Sequence, residues 1–189
     1  MKKSVLVTFL LLSGVVVFGQ TWTLDKAHSK LGFSVTHLLV STVDGSFKSV
    51  DAKITSSKAD FTDAVFELTA DVNTIDTDNE QRDGHLKNAD FFDAAKFPSL
   101  TFKSTSIKKV AEKKYKLVGD LTLHGVTKSV TLDLTLGGTG VHPYSKKTIA
   151  GFKATGTLKR SDFGIGAGTP SSAVSDEVEL IANGEFAKD

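Results

Sequence analysis

Apolar and polar residues alternate along most of this chain. That is the period of a strand that buries one face and wets the other. Leu31, Phe33 and Val35 share a face, with Gly32, Ser34 and Thr36 opposite. Phe66, Leu68, Ala70 and Val72 oppose Glu67, Thr69, Asp71 and Asn73. The same alternation runs through Tyr115–Leu123, Ser129–Leu136, Ala150–Leu158 and Glu177–Phe186, and Leu100 with Phe102 begins a further strand. Val43, Gly45 and Phe47 hold one phase while Val50, Ala52 and Ile54 hold the other. One straight strand cannot carry both phases, so a bulge or bend is expected near Lys48–Ser49. Asp44-Gly45 and Gly137-Gly138 are turn or bulge signals, the first weakened by lying inside a strand pattern. Short connections make the strands mostly antiparallel. About eight one-sided strands give an all-β fold, either a sandwich or a closed barrel.

One block breaks the alternation. Asp76–Pro98 opens with Thr77-x-x-Glu80, a capping-box spacing. Asp78/Arg82 and Asp83/Lys87 follow with acid before base at i,i+4. Phe91, Phe92 and Phe97 come next. This pattern predicts a short helix over about Glu80–Asn88 that lies at a mouth of the β-structure and delivers aromatics as a lid or plug.

The apolar phase points a defined set inward: Phe33, Val35, Phe66, Leu68, Phe102, Leu117, Leu121, Leu132, Leu134, Phe152, Leu180 and Phe186. The same face carries Gly45, Ala70, Gly119, Ala150, Ala154, Gly156, Ala182 and Gly184. Two readings fit these small residues. They either taper a filled barrel or leave an elongated cavity for an apolar ligand.

The N-terminal residues have their own pattern. Lys2 and Lys3 precede the apolar run Val5–Phe18, with Val17-Phe18-Gly19 before a cut. This predicts a secretory signal peptide cleaved near Gly19, leaving 20–189 as one exported domain, periplasmic or secreted. The run falls short of the about twenty apolar residues a spanning helix needs, and no Cys follows it for lipidation. Basic and acidic residues number 23 and 22. This neutrality argues against nucleic acid as a partner.

Candidate chemistry is sparse. His28, His37, His85, His124 and His142 show no HExxH and no i,i+2 or i,i+4 pairing. Asp25, His28 and Ser29 hold the residue types of a hydrolase triad without a GxSxG elbow. Asp71–Glu80 is acidic but lacks the spacing of an EF-hand. No metal and no cofactor is therefore expected. Arg82, Asp83 and His85 either anchor the helix to the barrel rim or meet a ligand headgroup, Arg82 by a bidentate carboxylate pair.

Several blocks in order carry a family resemblance. They are Trp22-x-x-Asp25-x-x-His28-Ser29-x-Leu31-x-Phe33-x-Val35-x-His37, Gly45-x-Phe47, Ile75-Asp76-Thr77 and Arg82-Asp83-x-His85-Leu86. Asp90-Phe91-Phe92, Phe97-Pro98, Gly119–Lys128 and Arg160-x-Asp162-Phe163-Gly164-Ile165 complete the set. On these the chain resembles the YceI-like family of exported lipid-binding proteins. The resemblance implies an eight-stranded antiparallel lipocalin-like barrel holding a polyisoprenoid or fatty-acyl chain, with neither catalysis nor metal. The expected ligand contacts are Phe33, Val35, Phe66, Leu68, Phe91, Phe92, Phe102, Leu117, Leu121, Leu132, Leu134, Phe152 and Phe163. His28, Arg82 and His85 are candidates for the headgroup. The alternatives are an exported structural or stress-related protein with an incidental cavity, and an enzyme. The oligomeric state is open, a homodimer being one option.

Overall fold

The computed structural model describes residues 19–189; the expected signal segment before Gly19 lies outside the described residues. The strands are β1 (Gln20–His37), β2 (Ser41–Phe47), β3 (Val50–Ser56), β4 (Val65–Asp71) and β5 (Ile75–Asp76). After the helix α1 (Glu80–Leu86) come β6 (Ser99–Ala111), β7 (Lys114–Leu123), β8 (Val126–Val141), β9 (Thr148–Lys159) and β10 (Glu177–Lys188).

All strand pairings are antiparallel, and β10 pairs with β1 to close the sheet on itself. Ten segments make eight strands around the ring. β2 pairs with the upper half of β1 and β3 with its lower half, Leu31 facing Phe47 and Thr23 facing Lys53. β2 and β3 are thus one strand broken at Lys48–Ser49, where the phase switch places the bend. β4 and β5 are likewise one strand, interrupted by the 3-10 turn Val72–Thr74. Gly137 marks a bulge of β8 against β9. Asp44-Gly45 forms no turn and lies within β2. The fold is a closed eight-stranded antiparallel barrel with one helix.

β1 is longer than its alternation suggested. It starts at Gln20, buries Trp22, and shifts register against β10 between Asp25 and Lys30. That bulge resets the phase, so that Trp22 and Leu24 below and Leu31, Phe33 and Val35 above all join the inner face.

α1 corrects the capping box. Its N-cap is Asn79, whose side-chain oxygen accepts from the Arg82 N–H at 2.9 Å. Thr77 is drawn instead into tertiary contacts: its hydroxyl donates to Asp83 at 2.5 Å and accepts from Arg82 Nε at 2.8 Å. Neither Asp78/Arg82 nor Asp83/Lys87 forms an ion pair, because Thr77 engages Arg82 and Asp83 first. The helix ends at Leu86, earlier than expected.

The end of the barrel opposite α1 is closed by the β3–β4 connection. Phe61 there is 1% exposed. Its ring meets Trp22 at 5.2 Å and Phe152 at 5.0 Å between centroids. Tyr115 beside it donates its hydroxyl to the Asp60 carbonyl at 2.7 Å. Asp63 pins the loop by accepting from the Ser56 hydroxyl at 2.6 Å and the Ser57 N–H at 2.9 Å. Burial opposes the Asp63 charge, but these hydrogen bonds outweigh it and hold the carboxyl well below the usual carboxylate range.

Candidate functional site

Above this floor lies a cavity of about 490 Å³. All twelve residues placed inward by the alternation line it: Phe33, Val35, Phe66, Leu68, Phe102, Leu117, Leu121, Leu132, Leu134, Phe152, Leu180 and Phe186. Phe91 and Phe92 line its upper part, with Phe92 edge-on to Phe47 at 6.0 Å. The small residues divide between both earlier readings. Gly45 and Gly119 are filled by neighbours: a Cβ there would lie 2.3 Å from the Phe33 ring and 2.4 Å from the Phe102 ring. Ala154 and Ala182, by contrast, face the cavity as its lining.

Phe163 lies elsewhere than expected. It is buried in the 3-10 turn Arg160–Phe163, outside the cavity lining, and its carbonyl accepts from His124 Nδ1 at 2.9 Å. Its role there is to hold the loop after β9 against the β7–β8 hairpin.

Among the headgroup candidates, Arg82 and His85 stand at the mouth and line the cavity. Thr77 fixes Arg82 through Nε and, by its carbonyl, through Nη2 at 2.6 Å. Arg82 pairs with no carboxylate among the described residues, and its Nε and Nη2 are both taken by Thr77. His85 Nε2 lies 2.7 Å from Asp90 Oδ2, and its ring is edge-on to Phe91 at 5.0 Å. The hydrogen bond from His85 holds the Asp90 carboxyl below its ordinary pKa.

His28 is not at the mouth. It sits on the β1 bulge, with Nδ1 2.9 Å from Asp25 Oδ2, and does not line the cavity. That hydrogen bond, then the Asp25 charge, raises the His28 pKa; the same bond and the Ala27 N–H lower that of Asp25. Asp25, His28 and Glu185 bring ligand-type atoms within 4.8 Å of one another. These are the residues that could hold a cation, although they are solvated. Ser29 turns its hydroxyl to the Asp25 carbonyl at 2.6 Å, so it is not hydrogen-bonded to His28 and no triad is assembled.

Two functional features went unread in the sequence. Arg160 is 6% exposed, borders the cavity, and has no carboxylate partner among the described residues. It donates to five carbonyls, those of Ser175, Ile165, Gly166, Thr169 and Val174. One buried cation thereby gathers the whole β9–β10 connection onto the mouth. Arg160 heads the resemblance block Arg160-x-Asp162-Phe163-Gly164-Ile165, but nothing local in the sequence tells that it gathers these carbonyls. The floor residue Phe61 was the other, and an isolated aromatic between Asp60 and Thr62 was its only trace.

The described helix is too short to cross a membrane. The YceI-like domain matches residues 22–186. The YceI protein of Salmonella newport is 38% identical over 98% of this chain and 97% of its own. Among solved structures, BcnA of Burkholderia cenocepacia superposes with a TM-score of 0.76 at 26% identity, over 86% of this chain and 98% of that one. A Campylobacter jejuni YceI protein gives 0.72 at 31%, over 82% and 90%. A polyisoprenoid binding domain from Saccharophagus degradans gives 0.66 at 18%, over 90% and 99%, a likeness of fold. With the match running from Trp22 on β1 to Phe186 on β10, through every strand of the closed barrel, this chain belongs to the YceI-like family.

Proposed function

We propose that this protein is an exported binder of a long apolar or amphiphilic chain, polyisoprenoid or fatty-acyl in type, and that it carries its ligand without turning it over. The observation that carries the reading is the 490 Å³ cavity, whose wall is built from the inward face of the barrel strands. Such a wall offers an apolar chain about 0.8 kcal/mol per buried methylene and offers a polar substrate almost nothing. The named activity of the Saccharophagus degradans domain, polyisoprenoid binding, agrees with it. The tail would lie between Phe33, Leu68, Leu121 and Phe152, ending above Trp22 and Phe61. The head would stay at the mouth, where Arg82 and His85 line the cavity. The ligand itself is the only small molecule this reading requires. Export rests on the apolar run before Gly19.

The test is to purify the protein from its own host and identify what organic extraction releases, then to measure affinity along a series of prenyl and acyl chain lengths. A co-purifying long-chain lipid at near-stoichiometric yield, and affinity that climbs with length to a plateau, are expected. An empty protein with affinity independent of chain length would refute the reading.

A further inference from the structure

The β1–β2 hairpin ends beside the mouth in Leu38-Leu39-Val40. These side chains are 57%, 72% and 87% exposed. Leu38 and Leu39 both hold left-handed backbone, at φ 50 and 59. Tight hairpin turns of this kind select Asn-Gly, because L side chains resist that conformation. Here the strained positions carry two leucines, followed by a third apolar residue. A local rule broken at the surface, at a cost in stability, is the mark of a functional site.

The tip is also fixed in place. The Leu38 N–H donates to the Ala173 carbonyl at 2.9 Å, the Ser175 N–H donates to that of Thr36 at 2.9 Å, and His37 bridges to Val174. His37 and Val174 themselves line the cavity. The finger therefore stands on the rim of the mouth. The two stretches that build this side of the mouth carry no formal charge: no Asp, Glu, Lys or Arg occurs between Lys30 and Asp44 or between Asp162 and Asp176. In a chain that is 24% charged, these two stretches meet at one side of the mouth.

We propose that Leu38-Leu39-Val40 is a docking finger that inserts into the interface of a lipid bilayer and presents the mouth to it. The inference rests on the lipid-binding reading for its purpose. A long chain leaving a membrane would otherwise cross water with its apolar surface exposed, and a mouth held against the leaflet removes that step. The uncharged side of the rim, opposite Arg82 and His85, enters the interface without desolvating ions, so neutral zwitterionic lipid suffices. A second copy of the chain is the weaker occupant. Three side chains fall well short of the roughly 1,000 Å² that a stable protein interface needs.

The test uses Leu38→Asn/Leu39→Gly, the pair that the turn geometry itself prefers, and separately Val40→Ser. The probe is an NBD-tagged geranylgeranyl chain, delivered either from cyclodextrin or from phosphatidylcholine vesicles. Wild type should float with the vesicles and extract the probe. The double variant should melt no lower than wild type and take up probe from cyclodextrin equally well. It should fail to float and should extract from vesicles at least tenfold more slowly, with Val40→Ser in between. Wild type that does not float, or a double variant that extracts as fast, overturns the proposal. So does sedimentation showing a dimer that the double variant dissolves. If neither protein takes up probe from cyclodextrin while wild type alone floats, docking stands and the lipid-binding reading fails.

Discussion

Ala154 and Ala182 face each other across β9 and β10 and both line the cavity. They are small residues on the cavity wall, so larger side chains there extend into the cavity. Ala154→Leu with Ala182→Leu adds about six carbons to the interior. If each displaces one ligand methylene, the gross loss is about 5 kcal/mol at about 0.8 kcal/mol per methylene. That corresponds to between three and four orders of magnitude in Kd. A chain that backs out toward Phe91 and Phe92 recovers part of this, so a loss of at least tenfold is the expected floor. The protein itself should not suffer. New apolar atoms enter space that is otherwise unfilled, the reverse of making a cavity. The assay is titration calorimetry over a chain-length series, beside thermal unfolding of both proteins without ligand. Long chains should lose most and short chains least, so the plateau moves to shorter length. A double variant that binds the longest chain as tightly as wild type, at unchanged unfolding temperature, would refute the claim that this cavity holds the tail.

Three further outcomes concern the floor and the outer wall. Phe61→Ala removes a ring buried between Trp22 and Phe152 and should destabilise the protein by about 3–5 kcal/mol in urea unfolding; a change below about 1 kcal/mol would mean the loop does not close the barrel. The Asp63 carboxyl is depressed in the folded state, so its contribution is present above the unfolded value of about 3.9 and is lost as pH falls below it. Asp63→Asn should lower stability at pH 6 and flatten the fall in urea midpoint between about pH 5 and 3; an equally steep fall in the variant would reject this. His28 is raised by Asp25, so the pair's contribution is present below about pH 6.5 and is lost as pH rises through the raised value. NMR titration should place His28 above an ordinary histidine, and Asp25→Asn should bring it down; an unmoved titration would show that the pair does not form in solution.

The strand phases were legible because alternation leaves one choice for each strand. A slip of one residue would expose Phe102 and Leu121 together. The bend at Lys48–Ser49 was legible for the same reason, as two incompatible phases in one segment. What failed to show was whatever depends on contacts distant in sequence. Thr77 has the spacing of an N-cap, yet Arg82 and Asp83 reach it from the folded helix and Asn79 caps in its place. Gly45 and Gly119 fit a taper and a cavity equally well in the sequence, and it is Phe33 and Phe102, lying across them, that make them part of the filled wall. His28 shares a sequence motif with the mouth-facing strand, but the bulge after Asp25 turns it to the outer wall. Phe163 read as one more aromatic for the ligand because nothing local says that its carbonyl serves His124.

The two ends of the barrel are built on different terms, and on the lipid-binding reading the difference would order the ligand's path. At the floor, Trp22, Phe61 and Tyr115 are buried against one another, and Asp60 and Asp63 fasten their loop by hydrogen bonds. Opening that end would break packing and polar contacts together. At the mouth, α1 has no buried residue of its own. It is held through Thr77 and by the His85–Asp90 contact at its far end. Elements with few buried apolar contacts open at low cost. On the lipid-binding reading, entry is expected from the α1 end. A chain entering there would go tail first, because the wall beyond Arg82 and His85 is mostly apolar, with Phe33, Leu68, Leu121 and Phe152 among its lining. The buried Arg160 clamps the facing loop, and the Gly166 N–H of that loop donates to the Asp90 carbonyl at 3.0 Å, which ties the segment before Phe91 to the clamped side. The mouth thus has one side gathered by Arg160 and carrying Leu38–Val40, and one side, α1, without a buried residue, where opening should cost least.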